Sequence, residues 1–599
     1  MKLFVIGLIL LLSGVNYAIE PVNPNASNKT KQVLNYLNSL PGKLQNRVVS
    51  GQHLAHSVQN TQYGYNKFAQ ALYDSTGSWL GMISTDYGND ADSSSISSTN
   101  DILIDYWKHG GLICLDMHPD NPWTGENCWD LTDRDLLEII TSGTTVNQDW
   151  EAYLDTLAEG LSELQDSGVV VLWRPYHEMS YRQSFWWDMG AVLDDHPDQG
   201  EEVWKDFWIH LFNYFTYEKG LNNLLWVYAP ANTDGYGGQW NDVDRVYPGD
   251  EYVDIVGIDC YGDEPVIKGQ GYEKMLATGK PFAFTECGPY TRDGTYDNTL
   301  FIKTVRKNYP KTVYCNFWHS WTNNKVAIVD NQNDDEFMDD GWIITRDEIN
   351  WQVMMTDLII SEYIEGSNNN KALEIYNGTG AAIDLSDYKL WMITDGGNWA
   401  EDTLDLNGIL DYREVYLVSN PYADSVILTV SDSISDFVVW DGNDAIGLAK
   451  NRNDTIVLID VVGEEGNAPA TGWDVAGIDN ATKDHTLIRK LTVLFENTDW
   501  DSSAGTDSDN SEWQVFAQDR FYNLGVFGTS WTGQSDTLWN NSNNWDISVP
   551  DNSTKVLIRN SGLFLPVINN TGAECRGLII DSTAILKILG SNTLIIHGN

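Results

Sequence analysis

The chain has 599 residues, 42% hydrophobic and only 20% charged, which makes it folded, core-bearing material too long for one ordinary domain. Its 36 basic against 86 acidic residues leave a formal charge of −50. That excess argues against nucleic acid or an anionic membrane as partner and leaves a neutral polymer, such as a glycan, unrepelled.

In chain order, Met1-Lys2 precedes the short apolar run Leu3–Leu12, and Ser13–Ala18 supplies small residues near a plausible cut. Residues 1–18 are therefore predicted to be a signal peptide and the protein to be secreted, extracellular or associated with the cell surface. The run is too short for a comfortable membrane span, and no later stretch approaches the required length.

From about residue 30 to 352, short apolar runs alternate with longer amphipathic ones. Eight strands are predicted: Arg47–Gly51, Trp79–Thr85, Gly111–Met117, Val169–Arg174, Asn223–Ala229, Val253–Asp259, Pro281–Thr285 and Thr312–Trp318. Helix-like stretches such as Trp150–Gln165 and Trp204–Tyr217 lie between them. Eight alternating units predict an α/β fold, a (β/α)8 TIM barrel, and no Gly-rich phosphate turn follows the first strand. In that fold the chemistry sits at the carboxyl ends of the strands. The polar and aromatic residues there are His53, Asp86, Tyr87, His118, Arg174 to Glu178, Asn232, Tyr261, Glu286 and Trp318 to Trp321.

After about Trp351, Asn/Asp/Gly/Ser-rich turns separate short alternating runs such as Ala372–Tyr376 and Glu414–Val418. An all-β sandwich module is expected over 356–526. A short β-rich C-terminal module follows over 528–599, small for an independent core. Its Trp531, Trp539 and Trp545 fit small-sandwich core packing better than glycan contacts. Of the six cysteines, Cys260 and Cys287 fall at strand ends where they could pair, with buried free thiols as the alternative.

Two glutamates stand out. Glu178 ends Val169-Val-Val-Leu-Trp-Arg-Pro-Tyr-His-Glu178 and is followed by Phe185-Trp186-Trp187; Glu286 lies in Pro281-Phe-Ala-Phe-Thr-Glu286-Cys-Gly-Pro-Tyr290. Both fall at predicted strand ends facing one cleft, in aromatic surroundings. One protonated acid and one ionised nucleophile in such settings are what retaining glycoside hydrolysis needs. The blander alternative is a salt bridge, since Arg174 shares a strand face with Glu178. His177-Glu178-Met-Ser-Tyr181 is not the zinc motif HExxH, because position 181 is Tyr and the run follows a strand. No metal or organic cofactor is expected. Trp186, Trp187, Trp318 and Trp321 are candidate platforms for sugar rings, whereas Trp226 and Trp240 are left to the core or undecided.

Trp173-Arg-Pro-Tyr-His-Glu178 with Phe185-Trp186-Trp187, Gly111–His118 with Asn121-Pro122, Gly257–Tyr261 and Phe284–Gly288 together resemble glycoside hydrolase family 26 over about residues 30–352. The resemblance implies an endo-β-1,4-mannanase retaining configuration, with Glu178 as acid/base and Glu286 as nucleophile. It implies that His177 holds the sugar at the cleavage point and Tyr261 hydrogen-bonds the nucleophile. Arg174 and His118 would shape the sugar's polar contacts. The family's compact Gly-x-Trp-Phe-Trp-Trp is here Ser-Tyr-Arg-Gln-Ser-Phe-Trp-Trp. Mixed-linkage glucan and β-1,3-xylan therefore stay open as substrates beside β-mannan, and a non-catalytic glycan-binding protein is the alternative class. Ile359–Gly366, Leu373–Gly378 and Ile383–Leu390 resemble the lamin-tail type of immunoglobulin-like sandwich. A monomer is expected. Every candidate acid, base and sugar contact precedes residue 322, so the part from about 356 onward is expected to be dispensable for catalysis.

Overall fold

The computed structural model describes residues 19–597 except 44, 89–90, 182, 191–198, 234–241, 352–354, 381, 453–454, 553, 560–562 and 570. The predicted signal peptide and Trp240 lie outside the described residues. The chain divides into two compact units, Ile19–Gln352 and Val353–Asn599. Among the described residues, no helix is long and apolar enough to cross a membrane.

The first unit is built on eight parallel strands: β1 (Val48–His53), β2 (Met82–Asp86), β3 (Leu112–Asp116), β4 (Val171–Arg174), β5 (Leu224–Tyr228), β6 (Ile255–Tyr261), β7 (Phe282–Gly288) and β8 (Thr312–Phe317). They pair in sequence order, and β1 pairs with both β8 and β2, closing the barrel. The predicted (β/α)8 architecture is what forms. Every strand residue is buried except the half-buried Tyr261, which explains why the runs read as continuous apolar segments without alternation.

The helices follow from the other period. In Thr145–Asp166 the residues Val146, Trp150, Leu154, Leu157, Leu161 and Leu164 recur at three- and four-residue spacing, and all are buried. Its start is fixed by Thr144, whose hydroxyl accepts from the Asn147 amide at 3.1 Å, a cap worth about 1 kcal/mol. The predicted helix Trp204–Tyr217 is Gly200–Asn213 continued by a wider π turn, Tyr214–Glu218.

β6 and β7 run further than expected and carry Tyr261 and Glu286 on the strands themselves. A register shift between Gly257 and Asp259 brings Asp259 opposite Glu286. Such an irregularity re-aims side chains at a barrel mouth. Gly257 permits it: a Cβ there would stand 2.3 Å from Thr285 Cγ2 and 2.7 Å from the Ala283 carbonyl oxygen.

The second unit contains a six-stranded sheet, with Ile359–Glu365 and Lys371–Tyr376 at its centre, and a four-stranded sheet around Tyr388–Ile393 and Ala445–Arg452. Leu373, Ile375, Leu390, Leu448, Trp440 and Trp513 belong to one apolar core, as an all-β sandwich requires. The last segment differs from the small sandwich expected. Its strands pair in parallel, with Lys555 opposite Gly577, Val567 opposite Lys587 and Ala573 opposite Leu594. Parallel pairing at a repeat of roughly 20 residues is the winding of a solenoid coil. Trp531, Trp539 and Trp545 are buried in its core.

Candidate active site

The carboxyl ends of the barrel strands surround a cleft of about 440 Å³ lined by His56, His118, Trp129, His177, Glu178, Phe185, Tyr261, Glu286, Trp318, His319 and Trp321. Eight of these are residues singled out from the sequence: His118, His177, Glu178, Tyr261, Glu286, Trp318, His319 and Trp321.

Glu178 stands on a strained turn just beyond β4. Tyr176 and Glu178 have φ of 48° and 55°, left-handed conformations that cost a non-glycine residue about 1 kcal/mol or more each. The turn is held to the segment just beyond β5: the Glu178 amide donates to the Ala229 carbonyl at 2.8 Å and the Ser180 hydroxyl to the Ala231 carbonyl at 3.1 Å. Burial, followed by the facing charges of Glu286 and Asp259, pushes the Glu178 carboxyl well above the ordinary range; Arg174 opposes this. The Glu178 side chain nonetheless keeps partial exposure to the cleft.

Glu286 lies in the opposite situation. Tyr261 donates its hydroxyl to Oε1 at 2.6 Å, and Arg174 Nη2 donates to Oε2 at 3.0 Å. The two glutamates thus face one cleft with different partners: one carboxyl favours the proton, and the other is held by two donors.

Arg174 does not pair with Glu178, and it is no direct sugar contact. Its guanidinium is fully buried below the cleft, where Nε donates to Asp116 at 2.5 Å, Nη1 to Asp259 at 2.7 Å and Nη2 to Glu286. The substrate-contact expectation is corrected for this residue, because every arm of the fork is already engaged by a carboxylate. Asp116 is held well below the usual range because Arg174 and His53 outweigh the burial that alone would raise it. Asp259 goes the other way, raised by burial and by Glu286 despite Arg174.

Trp186 and Trp187 also depart from expectation. Both are fully buried, with indole N–H groups donating to the Pro119 and His177 carbonyls at 2.9 and 3.0 Å. Phe185 takes the cleft position instead, stacked on Trp187 at 4.5 Å between ring centroids. The loop owes its shape to Asp188, whose Oδ2 accepts from the Ser184 and Phe185 amides and whose Oδ1 accepts from the Gly190 amide. Trp187→Ala should therefore cost about 3–5 kcal/mol of stability by cavity formation, whereas Phe185→Ala, at a largely buried ring that borders the cleft, should raise KM with a smaller loss of Tm. Thermal melts and steady-state kinetics of the two variants separate these roles; similar melting losses in both would contradict the assignment.

Trp318 lies at the end of β8, stacked on His53 at 3.7 Å, and Trp321 faces the Arg292 guanidinium at 5.1 Å. Arg292 also stands 5.8 Å from the Tyr261 ring, a cation–π position with no local signal in the sequence. His56 and Trp129 were likewise missed, although His56 follows His53 by one short turn. Asn232 braces a loop, donating to Cys260 Sγ and the Val266 carbonyl, and does not line the cleft. All six cysteines are buried free thiols, Cys260 and Cys287 among them. Among the described residues, one grouping has the spacing of metal ligands: His56, Asp86 and His118.

Residues 22–348 match glycosyl hydrolase family 26, and residues 355–473 match the lamin tail domain. The chain is 34% identical over 427 residues to mannan endo-1,4-beta-mannosidase A and B of Caldalkalibacillus mannanilyticus, covering 69% of this chain and 76% of that protein. It is also 34% identical over 347 residues to a mannan endo-1,4-beta-mannosidase of Bacillus subtilis, covering 56% of this chain and 90% of that one. The solved Bacillus subtilis mannanase man26 is similar at 32% identity and a TM-score of 0.49, covering 56% of this chain and 97% of that chain. The closed parallel barrel, the two unlike carboxyls at the ends of β4 and β7 and the match across 22–348 agree with one another: this chain belongs to glycosyl hydrolase family 26.

Proposed function

We propose that the protein is a secreted endo-β-1,4-mannanase that hydrolyses β-mannan with retention of configuration. The observation that carries the reading is the contrast between Glu178, whose carboxyl favours the proton, and Glu286, held by Tyr261 and Arg174, across one aromatic-lined cleft. The names of the similar proteins supply the substrate class.

In the first step Glu178 gives its proton to the glycosidic oxygen while a Glu286 oxygen bonds to the anomeric carbon and the C–O bond to the leaving sugar breaks. In the second, Glu178, now a carboxylate, takes a proton from water. The water oxygen bonds to the anomeric carbon, and Glu286 leaves as a carboxylate. Tyr261 and Arg174 hold the attacking oxygens in place throughout. His118 and His177 face the sugar, and Trp318 and Trp321 offer flat faces to its C–H surfaces. The mechanism asks for no metal or organic cofactor, and one chain contains the whole site.

Reducing-sugar release from mannan, lichenan and β-1,3-xylan tests the substrate, and NMR of the first-formed anomer tests the stereochemistry. Release from mannan with the β-anomer first is expected; release only from another polymer, or the α-anomer first, rejects the corresponding part. A raised Glu178 carboxyl also fixes the pH profile. The acid is competent while protonated, so the alkaline limb of kcat/KM should lie well above the ordinary carboxyl range, with activity lost as pH rises through it. A chain ending near Trp351 should keep its turnover on soluble mannan, since all the cleft residues precede that point; a folded but inactive barrel would contradict this.

A further inference from the structure

The cleft contains side chains that the hydrolytic steps leave unused. His56 lies three residues beyond β1, Asp86 is the last residue of β2, and His118 lies two beyond β3. Neighbouring strands thus bring three potential ligands to one corner of the barrel mouth. One ligand atom from each residue lies within 4.8 Å of the other two. The imidazole rings of His56 and His118 are 3.9 Å apart between centroids. Asp86 is fully buried; one carboxylate oxygen accepts from the His118 amide at 3.1 Å and the other contacts His118 Nδ1.

Positioning of His118 by Asp86 accounts for two members of this group, whereas the half-buried His56 ring stands beside His118, 5.5 Å from Trp129, outside that hydrogen-bonded pair. Two imidazoles and a carboxylate are a donor set suited to zinc or copper, with a further coordination position left for water. Both histidines line the cleft, which gives an ion a path from solvent.

We propose that His56, Asp86 and His118 form a binding site for a divalent transition-metal ion of the zinc type, and that the bound ion occupies the sugar's place beside His118. The ion takes no part in hydrolysis; it competes with the glycan.

The experiment is calorimetric titration of the full chain with zinc chloride alone, so its outcome does not depend on the polysaccharide the enzyme prefers. One zinc per chain is expected, and His56→Ala and Asp86→Asn should each weaken binding by at least the ~10–100-fold that even outer-shell changes cost. His210→Ala, at a histidine paired with Glu151 on the barrel's outer helices, should leave binding unchanged. Cobalt(II) added to the wild-type protein gives a readout that needs no variant to fold: intense visible bands indicate ligation by protein nitrogen and oxygen, and the weak spectrum of the hydrated ion overturns the site. On soluble glycan, zinc should raise the apparent KM without lowering kcat. The metal site is overturned by absence of zinc binding up to ~1 mM, the weak end of specific association, or by undiminished binding in both ligand variants. Binding without competition overturns the blocking role.

Discussion

Replacing either glutamate should lower kcat on mannan by about 10²–10⁴-fold, with opposite responses to an added nucleophile. In Glu178→Ala the acid is missing, but an aryl glycoside with a good leaving group still forms the ester with Glu286. Azide, which needs no general base, then bonds to the anomeric carbon and displaces Glu286, giving a β-glycosyl azide. In Glu286→Ala azide bonds directly to the anomeric carbon as the aglycone departs with the proton of Glu178, giving the α-azide. Each variant should fold. Arg174 still pairs with Asp116 and Asp259 when Glu286 is gone, and Glu178 forms no ion pair with Arg174. Mass spectrometry and NMR of the azide products read the result. If the two configurations are exchanged, the roles of the two residues are exchanged. If both variants keep near wild-type turnover, the catalytic reading fails.

What the sequence made legible is what depends on local period. Eight apolar runs and the amphipathic stretches between them place the strands, and the strand ends then place Glu178 and Glu286. The partners of Arg174 were not legible, because Asp116, Asp259 and Glu286 lie 58, 85 and 112 residues away from it. On the strand alone, the nearest acid in sequence is Glu178, and the blander salt-bridge alternative pairs Arg174 with it. The turn from Tyr176 to Glu178 redirects that side chain away from the arginine.

The tryptophans failed for a different reason. A Trp in a loop beside a catalytic residue has the same composition whether it faces sugar or core. What decides is whether its N–H finds an acceptor inside the protein, and for Trp186 and Trp187 the Pro119 and His177 carbonyls supply one. The solenoid at the C-terminus was hidden similarly. Short alternating strands read alike in a sandwich and in a coil, and only the parallel register of Lys555 with Gly577 separates them.

Arg174→Met should destabilise the barrel by about 3–5 kcal/mol, because it leaves three buried acids around no cation. The side chain is fully buried and bonded to all three, so the loss cannot be relieved by solvent. Lysine is no substitute: its single ammonium cannot meet three carboxylates set around a planar fork, so Arg174→Lys should keep part of the stability and lose most of kcat. The deficit should depend on pH, and the sign follows from proton uptake. Without the cation, the buried Asp116 and Asp259 lose the charge that offsets their burial and bind protons more tightly folded than unfolded. That proton-linked stability is present at low pH and lost as pH rises, so the gap to wild type should be smaller at pH ~5 than at pH ~8. Adding Asp116→Asn and Asp259→Asn to Arg174→Met should restore part of the stability at the higher pH without restoring turnover, because Glu286 would still lack the donor to Oε2. Denaturant unfolding of the variants at the two pH values measures this. A deficit that does not change with pH would mean that Arg174 contributes by packing alone, and the account of how Glu286 is held as the attacking carboxylate would lose its electrostatic half.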